Sequence, residues 1–171
     1  MRWEVLFEDL ESQYEAAVRT ADDDEVAELA EAEIGATRLA DRLRAARGSR
    51  LTLRLRSGAT VGGELLDAAP QWLLLADGER RTLVPVAAVA LAWPLGPSAP
   101  EAGLVEQRLR ITHVLRALSR ESALVRLTCP AGSYSGWLTR VASDHVDLRV
   151  DGAGNGVVTV ALAALESVST A

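Results

Sequence analysis

The sequence predicts an α+β protein: an N-terminal helical arm followed by two tandem five-stranded bent antiparallel β-barrels, each preceded by a helix. Three observations predict it. The apolar period shifts from about 3.6 residues to 2 at Arg50. The same order of apolar and glycine positions returns 73 to 76 residues downstream. Pro94, Gly96, Pro97, Ser98 and Pro100 mark a linker between the two copies. The expected segments are a two-helix acidic arm over 1–47, a first barrel over 48–94, a linker over 95–103, and a helix with the second barrel over 104–171.

Trp3, Phe7, Leu10, Tyr14 and Ala17 alternate spacings of four and three, while Glu4, Glu8, Glu11 and Glu15 take the opposite side. This predicts an amphipathic helix over 2–19, with Trp3, Phe7, Leu10 and Tyr14 as a face for a partner helix or for the protein's own body. Its acidic polar side does not suit a membrane-surface helix, which is usually rich in Lys and Arg. Asp22-Asp23-Asp24-Glu25 reads as the start of the next helix, where acids cap free N–H groups and face the positive end of the dipole. The run lacks the alternating ligands and glycine of a calcium loop. A second helix is expected over 25–46, with Val26, Leu29, Ala36, Leu39, Ala40 and Leu43 on one side. Gly35 weakens its middle and Gly48 stops it.

From Arg50, Leu51, Leu53 and Leu55 alternate with Thr52, Arg54 and Arg56, the pattern of a strand with one buried face. A second strand is expected over 60–66, bent at Gly62-Gly63. Trp72–Leu75 reads as a short buried strand, Asp77-Gly78 as a hairpin turn, 81–84 as a fourth strand, and 86–93 as a turn with a short fifth. After the linker, helical spacing returns over 104–119 and the strand pattern restarts at Ser122.

The copies align in detail. Leu51, Leu53 and Leu55 match Val125, Leu127 and Cys129 at an offset of 74. Gly63, Leu65, Trp72 and Leu75 match Gly136, Leu138, His145 and Leu148 at 73, and 84–89 matches 160–165 at 76. Val125-x-Leu127, Gly132, Gly136-x-Leu138 and Asp144 resemble the first conserved segment of Sm-like (LSm) domains. The resemblance implies a bent antiparallel barrel after a helix, and RNA as a partner to consider. RNA-binding Sm proteins carry a polar residue, commonly Asn, after that Asp, and an Arg-Gly pair in a second segment. Here the corresponding stretches are Gln71-Trp72-Leu73-Leu74 and Asp144-His145-Val146-Asp147, then Pro85-Val86-Ala87-Ala88 and Ala161-Leu162-Ala163-Ala164. No RNA-pocket residue carries over by match. The chain as a whole is similar to a group of uncharacterised actinobacterial proteins, whose openings resemble Met1-Arg2-Trp3-Glu4 and Leu6-Phe7-x-Asp9-Leu10-Glu11. Barrels of this kind have unpaired edges, which the copies can fill with each other or with further chains in a dimer or ring.

Chemistry-bearing residues are sparse. His113, His145 and Cys129 fall in different elements and show no metal-ligand spacing. His113 reads as a helix-surface residue. Cys129, in the slot of Leu55, reads as a small buried apolar residue. Ser133, Ser135 and Gly136 do not form a nucleophile elbow. The glycines of 152–156 lie between two strands, so they form a hairpin loop rather than a phosphate cradle ahead of a helix. Asp144 and Asp147 are not read as a catalytic pair. The expectation is a protein that is not an enzyme, with no cofactor, metal or small-molecule substrate.

Charge gives the remaining lead. All 18 basic residues are arginine; residues 1–35 hold 12 acids and 2 arginines, net −10, and residues 36–171 hold 12 acids and 16 arginines, net +4. Arg38, Arg42, Arg44, Arg47, Arg50, Arg54 and Arg56 cluster in sequence. They read as a solvated face or a partner for the acidic arm, with nucleic-acid backbone contact as the alternative. His145 reads as a turn residue or, with Trp72, as a contact at the barrel rim. Trp72, Trp137 and Tyr134 could stack bases, though barrel core is the commoner fate of such rings. Hydrophobic content is 49%, enough for a packed core, and no apolar run approaches the length of a membrane span. The early acids argue against a secretory signal, and one cysteine excludes an intrachain disulfide, so the expected address is the cytoplasm. The expected function is a non-enzymatic interaction or assembly module, with self-association or a protein partner; the alternative is a divergent RNA binder.

Overall fold

The computed structural model of the chain describes residues 16, 19, 20, 26–97, 99, 102–150 and 156–170. Contacts group the chain into two units, 1–37 and 38–171. In the first, residues 26–36 are helical (α1) and every one of them is exposed. The face expected at Trp3, Phe7, Leu10 and Tyr14 lies outside the described residues.

The second unit begins with α2 (Leu39–Ala45) and continues through ten strands. These are β1 (Arg50–Leu55), β2 (Thr60–Ala69), β3 (Trp72–Asp77), β4 (Arg80–Pro85) and β5 (Val89–Trp93), then β6 (Leu124–Cys129), β7 (Gly132–Val141), β8 (His145–Val150), β9 (Val157–Ala161) and β10 (Ser167–Thr170). Two helices, α3 (Leu104–Arg108) and α4 (Ile111–Arg120), separate the halves, and a short 3-10 turn precedes the last strand of each. The single helix expected over 25–46 is broken at Thr37 and Arg38, where Arg38 is extended. The helix expected over 104–119 is broken at Leu109 and Arg110.

Two separate five-stranded barrels do not form. The strands make one antiparallel sheet in the order β5-β1-β2-β3-β4-β10-β6-β7-β8-β9, and among the described residues that ladder begins at β5 and ends at β9 without closing. The reason lies at the joint. Strand β4 would be an edge of the first half and β10 an edge of the second, each with a row of unpaired N–H and C=O groups. They satisfy one another through Val168↔Leu83, Ser169↔Thr82 and Thr170↔Arg81. Each half keeps the same internal order, its fifth strand beside its first.

Both long strands bend at equivalent places. The β2–β3 register shifts between Leu65 and Asp67, and the β7–β8 register shifts between Leu138 and Arg140. Just before each shift stands a glycine that cannot be replaced without moving backbone. A Cβ on Gly63 would collide with the carbonyl of Ala76, and one on Gly136 with the carbonyl of Arg149. The neighbouring Gly62 meets only ordinary contacts.

Two cores result. The first gathers Leu43 and Ala46 from the α2 segment with Leu51, Leu53, Leu55, Leu65, Leu73, Leu75 and Val84. The second gathers Leu115 of α4 with Val125, Leu127, Leu138, Val146, Leu148, Val160 and Val168. It also takes Ala69, Trp72 and Leu83 from the first half, with Leu74 packed against it. Side chains of β3 and β4 therefore alternate between the two cores, and both faces of these strands are covered. Glu166, 2% exposed, adds a polar tie by accepting the Ser57 N–H at 2.8 Å.

Candidate functional site

The seven clustered arginines do not form one free face. Arg42 donates to the carbonyls of Gly96 and Leu95 at 3.0 and 3.1 Å, fastening the segment after β5 to α2. Arg44, with only 9% of its side chain exposed, bridges Asp41 at 3.0 Å and Glu106 at 2.8 Å. Arg47 reaches Asp67 at 2.8 Å and the Ala68 carbonyl at 3.0 Å. Arg50 pairs with Asp77 at 3.1 Å in the open. Arg38, Arg54 and Arg56 are exposed and have no side-chain partner among the described residues. Three of the seven, Arg42, Arg44 and Arg47, thus tie parts of the fold together and a fourth, Arg50, is paired in the open, so the cationic surface is reduced accordingly.

Trp72 is not at a rim. It is 5% exposed, and its Nε1–H donates to the Leu109 carbonyl at 2.7 Å. That bond occupies the carbonyl where the expected helix breaks, and it removes the ring from any base-stacking role. Trp137 is half-buried with the Arg149 guanidinium 5.3 Å above its ring, and Tyr134 packs against the second core. His145 is half-exposed at the start of β8, its Nδ1 2.7 Å from the Asp144 carboxylate. Cys129 is half-buried rather than fully enclosed, its thiol 3.5 Å from the Gly132 carbonyl. His113 is exposed and its Nδ1 accepts the Arg110 N–H at 3.1 Å, closing the first turn of α4.

The surface that stands out is the pair of sheet ends. Through the repeat, β5 occupies in the first half the place that β10 has in the second, and β9 the place that β4 has. Strand β5 carries Leu91 and Trp93, 58% and 44% exposed, beside a ladder edge that no strand covers among the described residues. Strand β9 is equally open but different in chemistry. Where the first half sends Trp72, Leu74 and Leu83 into the joint, the second half has His145, Asp147 and Thr159. Those residues are already bonded locally: the Thr159 hydroxyl donates to Asp147 at 2.7 Å, and Arg140 stands 3.7 Å from the same carboxylate.

Sequence reasoning passed over Leu91 and Trp93. The repeat offset contained the signal, because it sets them against Ser167 and Ser169 of β10. No helix among the described residues is long and apolar enough to cross a membrane, and no group of three or more His, Cys, Asp or Glu there could hold a metal ion. Comparison with models of protein families finds no match, and comparison with curated proteins finds none either.

Proposed function

We propose that the chain is a non-enzymatic interaction module whose open β5 edge accepts a strand from a protein partner. One observation carries the reading. The molecule joins its own halves by edge pairing reinforced with apolar side chains, and β5, held by β1 on one side, repeats the position of β10 with nothing paired to its outer edge among the described residues. Strand addition of this kind gives affinity through main-chain bonds and specificity through alternate side chains. Leu91 and Trp93 supply those side chains here, and exposed aromatic anchors are the residues that interfaces favour. A second copy of the same chain is a poor match, because its β9 end presents His145, Asp147 and Thr159 in place of the apolar set. The partner we propose is a different protein, with an unpaired strand and an apolar face beside it. The acidic segment 1–35 supports a recruiting role from the sequence side. A single thiol suits a reducing compartment, and the cytoplasm is the proposed address.

The RNA reading draws less from the geometry, since four of the seven arginines are bonded within the fold and only Arg38, Arg54 and Arg56 are left for it. The test compares wild-type bait with Leu91→Arg/Trp93→Arg in pull-downs from the native cell, with the mass of each bait checked by light scattering. A monomer that captures a protein which the double variant loses supports the proposal. Equal capture by both baits overturns it.

A further inference from the structure

A second surface lies away from the sheet ends, at the N-terminal end of α4. A recess of about 530 Å³ opens there, lined by Gln71, Arg110, Thr112, His113, Arg116 and Ser143. No acid lines it. Every polar side chain around it is a cation or a neutral donor, an unusual balance in a chain whose net charge is −6.

The donors converge for separate physical reasons. First-turn amides of a helix have no acceptor within it and carry the positive end of its dipole. In α4 the His113 N–H is taken by the Arg110 carbonyl at 2.9 Å, and the turn before it faces the recess through Thr112. Because His113 Nδ1 accepts a hydrogen bond from the Arg110 N–H, the neutral ring carries its proton on Nε2, which is left as a donor. Thr112 is 8% exposed, and its hydroxyl has no hydrogen-bond partner among the described residues. Arg116 is half-buried and likewise has no ion-pair partner among them. The hydroxyl of this buried residue is still open to the recess, and with the half-buried guanidinium it is free to meet an acceptor there. An arginine fork matches the paired oxygens of a phosphate, as it does those of a carboxylate.

We infer that this recess binds a phosphate-class anion, with Arg116, Thr112 and the His113 ring as the direct contacts and Arg110 guarding the mouth. The site is independent of the β5 edge, so either proposal can fail alone.

The experiment is an amide-shift titration of the ¹⁵N-labelled full chain with inorganic phosphate at constant ionic strength, against chloride as the control. Saturable shifts at Thr112, His113 and Ser143 with phosphate alone are expected. Arg116→Gln should weaken binding by about tenfold or more, the effect of losing a charge-assisted hydrogen bond. Arg54→Gln, on β1, should leave it within about twofold. Should Arg116→Gln disturb the fold, Arg110→Gln at the exposed mouth gives the same reading with a smaller loss. A single-stranded RNA arm separates the sources. RNA that moves the same amides assigns the anion to a nucleic-acid backbone, and RNA silent there assigns it to a free phosphate compound. Linear drift without saturation, equal shifts with chloride, or an Arg116→Gln titration that overlays the wild type would overturn the inference.

Discussion

Replacing Leu83 with threonine, the residue that the second half carries at the equivalent place, asks whether apolar packing holds the joint. Leu83 is 2% exposed and faces Val168 across the β4–β10 ladder. Trimming a buried leucine costs about 2–5 kcal/mol, depending on how far the site collapses. Threonine keeps part of the volume but brings a hydroxyl, which costs about 1–3 kcal/mol where it finds no partner. A net loss of about 3 kcal/mol is expected. For a chain of this length each kcal/mol moves Tm by about 2–4 °C, so the shift should be about 6–12 °C by circular dichroism. Hydrogen exchange should quicken at Val168 and Thr170 before it quickens in β7 or β8. The reciprocal variant His145→Trp/Asp147→Leu/Thr159→Leu rebuilds the apolar set on β8 and β9. It should drive head-to-tail oligomers in light scattering that the wild type does not form, because a heterologous contact that does not close keeps adding copies. A Tm drop under about 2 °C for Leu83→Thr, the size of a surface substitution, would refute the argument.

Gly63→Ala and Gly136→Ala should each destabilise by about 1–3 kcal/mol, because a backbone carbonyl blocks the new methyl, whereas Gly62→Ala should be neutral or gain up to about 1 kcal/mol. Urea unfolding of the three variants distinguishes them, and equal losses would remove the steric account. Arg44→Ala should cost about 3 kcal/mol, since it leaves Asp41, 15% exposed, without its cation, while Arg50→Ala should cost less than about 1 kcal/mol because both members of that pair lie in water. Chemical denaturation of each variant checks the contrast.

Much of the strand order was legible because it depends on local pattern. The alternation from Leu51 to Leu55 and its echo from Val125 to Cys129 specify strands with one buried face, and Gly63 and Gly136 specify bends. The joint was written in the sequence too, but in a contrast rather than a motif. Trp72-Leu73-Leu74-Leu75 is apolar without interruption, as a strand buried on both faces must be. His145-Val146-Asp147-Leu148 alternates, as a strand with one open face does. Set side by side, the two lines say that the first copy is covered on its outer side and the second is not. The site was less legible, because charge says nothing of its partner. Arg44 lies in a run of arginines, and besides the nearby Asp41 it pairs with Glu106, 62 residues away. Trp72 suggested a stacking surface, and only the folded chain brings the Leu109 carbonyl to its ring nitrogen. Thr112 and Arg116 are ordinary helix residues by sequence, and their lack of partners exists only in three dimensions.

The position of β10 also sets a timetable for biosynthesis. This strand is the last in sequence, yet it lies in the middle of the sheet, between β4 and β6. A ribosome delivers β1 to β5 long before it delivers the strand that covers β4. During that interval Trp72 and Leu83 face water beside an unpaired edge, the circumstance in which nascent chains stick to one another. The half-made protein is therefore its own most dangerous form, and its exposure ends only when residues 167–170 leave the exit tunnel.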